Sequence, residues 1–166
     1  MTATQKIEDV LAQPINKLER ALSTDFPGHE RDWAQGVGNA LTEVEQALGL
    51  HTALAETPDG LLTKVDLTRP TSVRQVSGLR REHTELQEQT RSLKTQLRGA
   101  AQAFQAPHAA LGRVEALPEP VPVAPVPDFG SIRQAAGQLL AALQRHQQDE
   151  TKLLLDSVNT DIGVGD

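Results

Sequence analysis

The sequence predicts an all-α protein, an up-down-up-down four-helix bundle with a proline-rich linker before the last helix. Three observations support this fold class. The chain has 166 residues, which is enough for one domain with a substantial hydrophobic core. Only 2% of the residues are aromatic, too few for a typical β-sandwich or barrel, and helix-forming Ala, Leu, Gln, Glu and Arg are abundant. Apolar residues recur at steps of three and four along most of the chain, which is the spacing of one helix face.

The first two helices are predicted in the first third of the chain. The apolar residues from 7 to 22 fit one helix, in which Pro14 marks either a kink or the helix start. A turn rich in Pro and Gly follows at 24–28, and the second helix is predicted over 29–56. The turn-forming segment 57–60 ends it.

The third helix follows residues 61–70, which we expect to form an extended connection that packs partly onto the bundle. Thr71 or Ser72 is expected to cap the start of this helix, and Pro107 to end it. Its apolar positions alternate steps of three and four, as in the seam of a helical bundle.

A proline-rich linker is predicted over 106–128, because proline occupies nearly every second position from 118 to 127. Proline lacks an N–H group and fixes φ, so this segment favours polyproline II and serves as a stiff connection. Asp128 is the expected N-cap of a fourth helix over 129–159. Residues 159–166 are expected to form a tail without regular secondary structure. The whole chain, 1–166, is expected to form a single bundle domain.

Composition excludes several functional classes. The formal net charge is −6 and no block of basic residues occurs, so nucleic acid is not expected as a partner. No apolar stretch approaches 18 residues, so we expect no membrane span. The first eleven residues lack the apolar segment of a secretory signal, which predicts a cytoplasmic protein. The chain has no Cys, so disulfides and thiolate metal sites are absent. The sequence contains no Gly-x-Ser-x-Gly elbow and no glycine-rich phosphate loop, so neither motif indicates an enzyme.

Three of the five histidines stand where the apolar stripes of their helices require a core residue. These are His51, His83 and His146, one on each of the last three predicted helices. The other two, His29 and His108, are expected in solvent. A buried imidazole needs a partner, because an unpaired buried polar group costs roughly 2–7 kcal/mol. Rise-per-residue estimates place His83 and His146 at about the same depth, and a connection that climbs about 10 Å would bring His51 to that level.

These positions leave two interpretations open. One is a metal site, since imidazole suits iron, zinc, copper or nickel, and carboxylates complete the coordination. Glu150 follows His146 by one helical turn and faces the same side, and Glu56 at the end of the second helix is a further candidate ligand. The other interpretation is a buried polar network, in which the histidines bond to Glu, Thr90, Gln87 or water.

Inward-facing histidines on successive helices of a four-helix bundle resemble the hemerythrin-like, or HHE cation-binding, family. The segments 49–56, 79–86 and 143–150 carry the resemblance. It implies non-haem iron, usually two ions held by histidines and bridging carboxylates, and a role in binding or sensing oxygen or in handling iron.

The chain departs from the family pattern at four places. The first helix has no His, and Ala55, Gln87 and Thr151 stand where the family usually carries ligands. A mononuclear site therefore fits better than a di-iron oxygen carrier, with zinc or no metal as alternatives to iron. A relative that lost the metal would be a structural or protein-interaction module, whose partner the sequence does not name.

Overall fold

The computed structural model describes residues 3–25, 27–68, 72–105 and 128–159. Over these residues the chain is almost entirely helical, and no strand occurs among them. The helices are α1 (Ala3–Ser23), α2 (Glu30–Glu56), α3 (Leu61–Thr68), α4 (Val73–Gln105) and α5 (Phe129–Asn159). The all-α prediction is confirmed, and the four predicted helices correspond to α1, α2, α4 and α5.

Helix α1 continues through Pro14, so the alternative that the helix starts there is wrong. Proline in a helix interior costs about 3 kcal/mol, because it removes one hydrogen bond and crowds the preceding turn. Burial of a Leu side chain stabilises by about 1.5–3 kcal/mol, and several such residues outweigh that cost. The buried stripe of α1, which spans the proline, consists of Leu11, Ile15, Leu18 and Leu22.

Helices α2 and α4 run antiparallel, as the hydrogen bonds between them show. Residue numbers fall along α4 as they rise along α2. The bonded pairs are Glu45–Lys94, Thr52–Gln87 and Glu56–His83. Helix α1 contacts α2 and α5, and α4 contacts the same two helices, so the four long helices enclose a common core.

Residues 61–68 form the short helix α3, so the predicted extended connection is wrong over this range. Its inner face buries Leu62 and Val65 against α4 and α5. The helix starts directly after Gly60, where a Cβ atom would lie 2.3 Å from the carbonyl oxygen of Ala55. Only glycine fits this close backbone approach. Burial of one apolar face stabilises a helix that is too short to be stable alone.

The core has two apolar parts. The larger core lies between α1, α2, α4 and α5 and includes Leu48, Leu86 and Leu143. The smaller core lies where α3 packs on the other helices, and its buried residues are Ala55, Leu62, Val65, Val76, Leu79 and Leu153. On each of α2, α4 and α5, a short interval without buried apolar side chains separates the two parts. His51, His83 and His146 occupy those intervals.

Helix α5 begins as the sequence predicted. The carboxylate of Asp128 accepts a hydrogen bond from the backbone N–H of Ser131 at 3.1 Å and another from the Ser131 hydroxyl. Asp128 is therefore the N-cap of this helix. Most of the predicted proline linker (106–127) and the tail after Asn159 lie outside the described residues.

None of the helices in the described ranges combines the length and apolar character required to cross a bilayer.

Candidate metal centre

Four buried side chains meet between the larger and the smaller core. His51 comes from α2, His83 from α4, and His146 and Glu150 from α5. Each offers one ligand atom, and these four atoms all lie within 4.8 Å of one another. The three histidines are 1% exposed and Glu150 is 4% exposed. The predicted convergence of three core histidines with Glu150 is confirmed.

Helical periodicity explains why these side chains point inward. His51 follows Leu48 on the buried stripe of α2, and His83 lies between Leu79 and Leu86 on that of α4. On α5, His146 and Glu150 are one turn apart and face the same side. The connection between α2 and α4 includes the eight-residue helix α3, which is about 12 Å long.

The carboxylate of Glu150 lies among the three rings. Its Oε2 atom is 3.0 Å from Nε2 of His51. Its Oε1 atom is 3.5 Å from Nε2 of His83 and 3.6 Å from Nε2 of His146. The ring centroids are 4.8–5.6 Å apart and the ring planes meet nearly edge to face. All three Nε2 atoms therefore face the same small volume.

Two further carboxylates hold the outer nitrogens of two rings. Nδ1 of His83 donates a hydrogen bond to Oε1 of Glu56 at 3.0 Å. Nδ1 of His146 donates to Oε2 of Glu82 at 2.9 Å. Both carboxylates are partly exposed, at 37% and 43% for the side chain. They connect buried imidazoles to the protein surface.

Two glutamates lie beside the cluster and contact its histidines. Glu56, a candidate ligand from the sequence, is not among the four clustered residues and accepts a hydrogen bond from Nδ1 of His83. Glu82, which the sequence analysis did not single out, bonds to His146 across two helices. Its position immediately before His83 was the only sequence signal, and the register between α4 and α5 is needed to interpret it.

The outer hydrogen bonds fix the tautomer of two rings. A carboxylate only accepts hydrogen bonds, so Nδ1 of His83 and of His146 carries a proton. In the neutral imidazole the lone pair is then on Nε2. Both lone pairs face Oε1 of Glu150, and two lone pairs opposite a carboxylate oxygen repel it unless a cation or a proton lies between them.

Charge and burial shift the pKa values in the cluster. Burial raises the pKa of Glu150, but the neighbouring imidazoles of His51, His83 and His146 outweigh it and lower the pKa to about 2. Burial lowers the pKa of His83, and the neighbouring carboxylates of Glu150 and Glu56 raise it further than burial lowers it. For His146 burial dominates and the pKa is lowered, which favours the neutral ring.

Several polar atoms in the cluster lack a conventional hydrogen bond. Within the described ranges, Nε2 of His83, Nε2 of His146 and Oε1 of Glu150 are fully buried and have no hydrogen-bond partner. Such groups are rare in proteins and often indicate a ligand or ion. Of the partners expected in the alternative polar network, Thr90 bonds to the Leu86 carbonyl and Gln87 to Thr52. The glutamates of that network do contact the rings, through Glu56, Glu82 and Glu150.

The remaining two histidines do not join the cluster. His29 is exposed at the start of α2, as predicted. His108 lies outside the described residues. Comparisons with protein-family models, with curated proteins and with solved structures found no match for this chain.

Proposed function

We propose that this protein is a metal-binding helical bundle that holds one divalent transition-metal ion through His51, His83, His146 and Glu150. The observation that carries the proposal is the arrangement of uncompensated donor atoms. Two Nε2 lone pairs and a carboxylate oxygen face one another in a site that is almost closed to solvent. A bound cation would satisfy all of them, whereas the empty arrangement leaves them to repel one another.

The spacing of the donor atoms supports a single ion. A tetrahedral ion with ligands at about 2.1 Å separates neighbouring ligand atoms by about 3.4 Å. The nitrogen–oxygen distances, 3.0 Å to Oε2 and 3.5 and 3.6 Å to Oε1 of Glu150, lie near this value, and the four ligand atoms all lie within 4.8 Å of one another. Four donors also match the coordination number of one tetrahedral ion.

The outer carboxylates add support. Histidines that bind metals usually donate their other N–H to a carboxylate or carbonyl, which fixes the ring and makes the ligand nitrogen more basic. Glu56 and Glu82 occupy this position for His83 and His146.

We further propose that the chain is a divergent hemerythrin-like bundle with up-down-up-down topology. The antiparallel pair α2 and α4 and the closed arrangement of the four long helices support this topology. Iron follows from the resemblance, and zinc fits the three nitrogen donors and one oxygen donor equally well. The proposed role is to bind or sense iron or oxygen, in a cytoplasmic protein.

The raised pKa of His83 favours the competing hypothesis, a metal-free module. There a proton on His83 would bridge Glu56 and Glu150 in place of an ion. Such a bundle would act through its surface, as a structural or protein-interaction partner.

Metal analysis of untagged protein separates the two hypotheses. We expect close to one ion per chain after anaerobic loading with Fe²⁺ or Zn²⁺ and removal of excess metal. His146→Leu should lose the ion, and His29→Leu, a matched change of an exposed histidine, should keep it. Saturating metal at about 1,000 times Kd should stabilise the wild type by about 4 kcal/mol. Absence of bound ion in the wild type, with no change in melting temperature, would reject the metal-binding function.

A further inference from the structure

A surface cleft between α4 and α5 leads to the ligand His146. Its walls include Glu82 and Glu85 from α4 and Ala142, Arg145 and His146 from α5. Its volume of about 190 Å³ holds several water molecules, since a site of about 10–15 Å³ holds one. The buried ring of His146 is thus the part of the cluster that this cleft reaches.

We propose that the α4–α5 cleft is the route by which a hydrated divalent cation reaches and leaves the buried site, with His146 as the side chain that moves to admit it. This inference rests on the proposed function. An ion at the centre of the cluster is enclosed by three rings and a carboxylate, so at least one ligand must swing aside during exchange. Of the three rings, His146 is the one that lines this cleft.

The small size of Ala142 keeps the cleft open. Ala142 precedes His146 by one helical turn and lies on the same side of α5. A larger side chain there would fill the space in front of the His146 ring. The next cleft along the same two helices is lined by Ala135, one heptad earlier, and does not include His146. Ala135 therefore offers a matched control position.

The charges at the cleft favour a cation over an anion. Glu82 and Glu85 contribute two negative charges and Arg145 one positive charge. Glu82 also accepts the hydrogen bond from Nδ1 of His146, so an ion drawn to this carboxylate arrives beside the ring that must move. The net negative charge of this cleft would raise the local concentration of cations and their rate of association.

Two rates test this proposal. Stopped-flow absorption measures how fast Co²⁺ binds to the metal-free protein, and transfer into excess chelator measures how fast bound Co²⁺ is released. Ala142→Leu should slow loading and release by the same factor, about tenfold, which corresponds to a barrier about 1.4 kcal/mol higher. Its Kd should stay within about twofold of the wild type, because a route changes rates and not the end states. Ala135→Leu should load at the wild-type rate.

Two variants that remove a charge from the cleft test the route, and they should change the loading rate in opposite directions. Glu85→Gln should slow loading and Arg145→Gln should speed it, each by about twofold at low ionic strength, and both effects should fade near 1 M salt. If Ala142→Leu does not fold, this pair decides the question by itself. Equal rates in Ala142→Leu and Ala135→Leu, or charge variants without effect, would overturn the route while leaving the metal site intact. A wild-type protein that never develops a cobalt spectrum would instead reject the proposed function.

Discussion

Glu82 on α4 accepts a hydrogen bond from Nδ1 of His146 on α5 at 2.9 Å, so a partly exposed carboxylate holds a fully buried imidazole. The bond crosses between two helices and lies on the outer side of the cluster. It orients the ring so that Nε2 faces Glu150. The orientation of the His146 ring therefore depends on Glu82, which is not one of the four clustered residues.

Removal of this carboxylate should weaken metal binding without abolishing it. Glu82→Ala is expected to lower metal affinity by about 10- to 100-fold, because His146 loses its orienting partner and becomes less basic. Competition titration with a chelator of known affinity measures the change. Glu88→Ala, an exposed glutamate on the same helix, is the control. Equal affinities of the two variants would show that Glu82 has no orienting role.

The metal-free protein should lose stability in acid through Glu150. Its pKa is about 2 in the folded chain, against an ordinary value of 4.5, so the unfolded chain binds more protons between these values. The stabilising contribution is present above about pH 4.5 and is lost as the pH falls toward 2, on the order of 3 kcal/mol in total.

Urea unfolding of the metal-free wild type and of Glu150→Gln at pH 3, 4, 5 and 6 measures this effect. The difference in unfolding free energy between the two proteins should shrink as the pH falls, since the glutamine has no proton to bind. A difference that stays constant over this range would contradict the assigned pKa shift.

Helix α3 should contribute strongly to stability through Leu62, which is fully buried in the smaller core. Leu62→Ala is expected to lower the unfolding free energy by about 2–5 kcal/mol, because it removes buried methyl groups and leaves a cavity. Leu155→Ala, at a side chain that is 56% exposed, should change it by less than about 0.5 kcal/mol. Thermal or urea unfolding compares them. Similar losses in both variants would mean that α3 does not pack as described.

The cap of α5 should be sensitive to Asp128. Asp128→Ala removes the acceptor for the Ser131 backbone N–H and should lower the melting temperature. The hydrogen bonds from Ser131 also lower the pKa of Asp128, so the effect should be present at neutral pH and weaken in acid as the carboxyl group is protonated. Asp149→Ala, an exposed change in the middle of the same helix, serves as the comparison. A cap variant as stable as this comparison would argue against the capping role.

The features that the sequence predicted correctly are those that depend on a single helix, such as which side chains lie on its buried face. Steps of three and four placed His51, His83 and His146 on buried faces. Rise per residue placed His83 and His146 at similar depths, and His51 joined them only if the connection after α2 rose by about 10 Å. Glu150 followed from its one-turn offset from His146. These inferences need no knowledge of how neighbouring helices rotate against one another.

What the sequence did not predict depends on contacts between helices. The hydrogen bonds of Glu56 to His83 and of Glu82 to His146 were not predicted, because they follow from the register of α4 against α2 and α5. Residues 61–68 were assigned to a loop because they are short and lie between two turn-rich segments. Their helix is stabilised by burial of Leu62 and Val65 against distant parts of the chain, which local pattern does not reveal.

All four donor side chains come from α2, α4 and α5, and among the described residues α1 adds none. A bound ion would therefore tie three of the four long helices together and leave α1 attached by core packing and by the Lys17–Glu43 ion pair. Amide hydrogen exchange should then separate into two groups, with metal slowing exchange most in α2, α4 and α5 and least in α1. Local opening of α1 would break none of the bonds to the ion, because none of its described residues is a ligand.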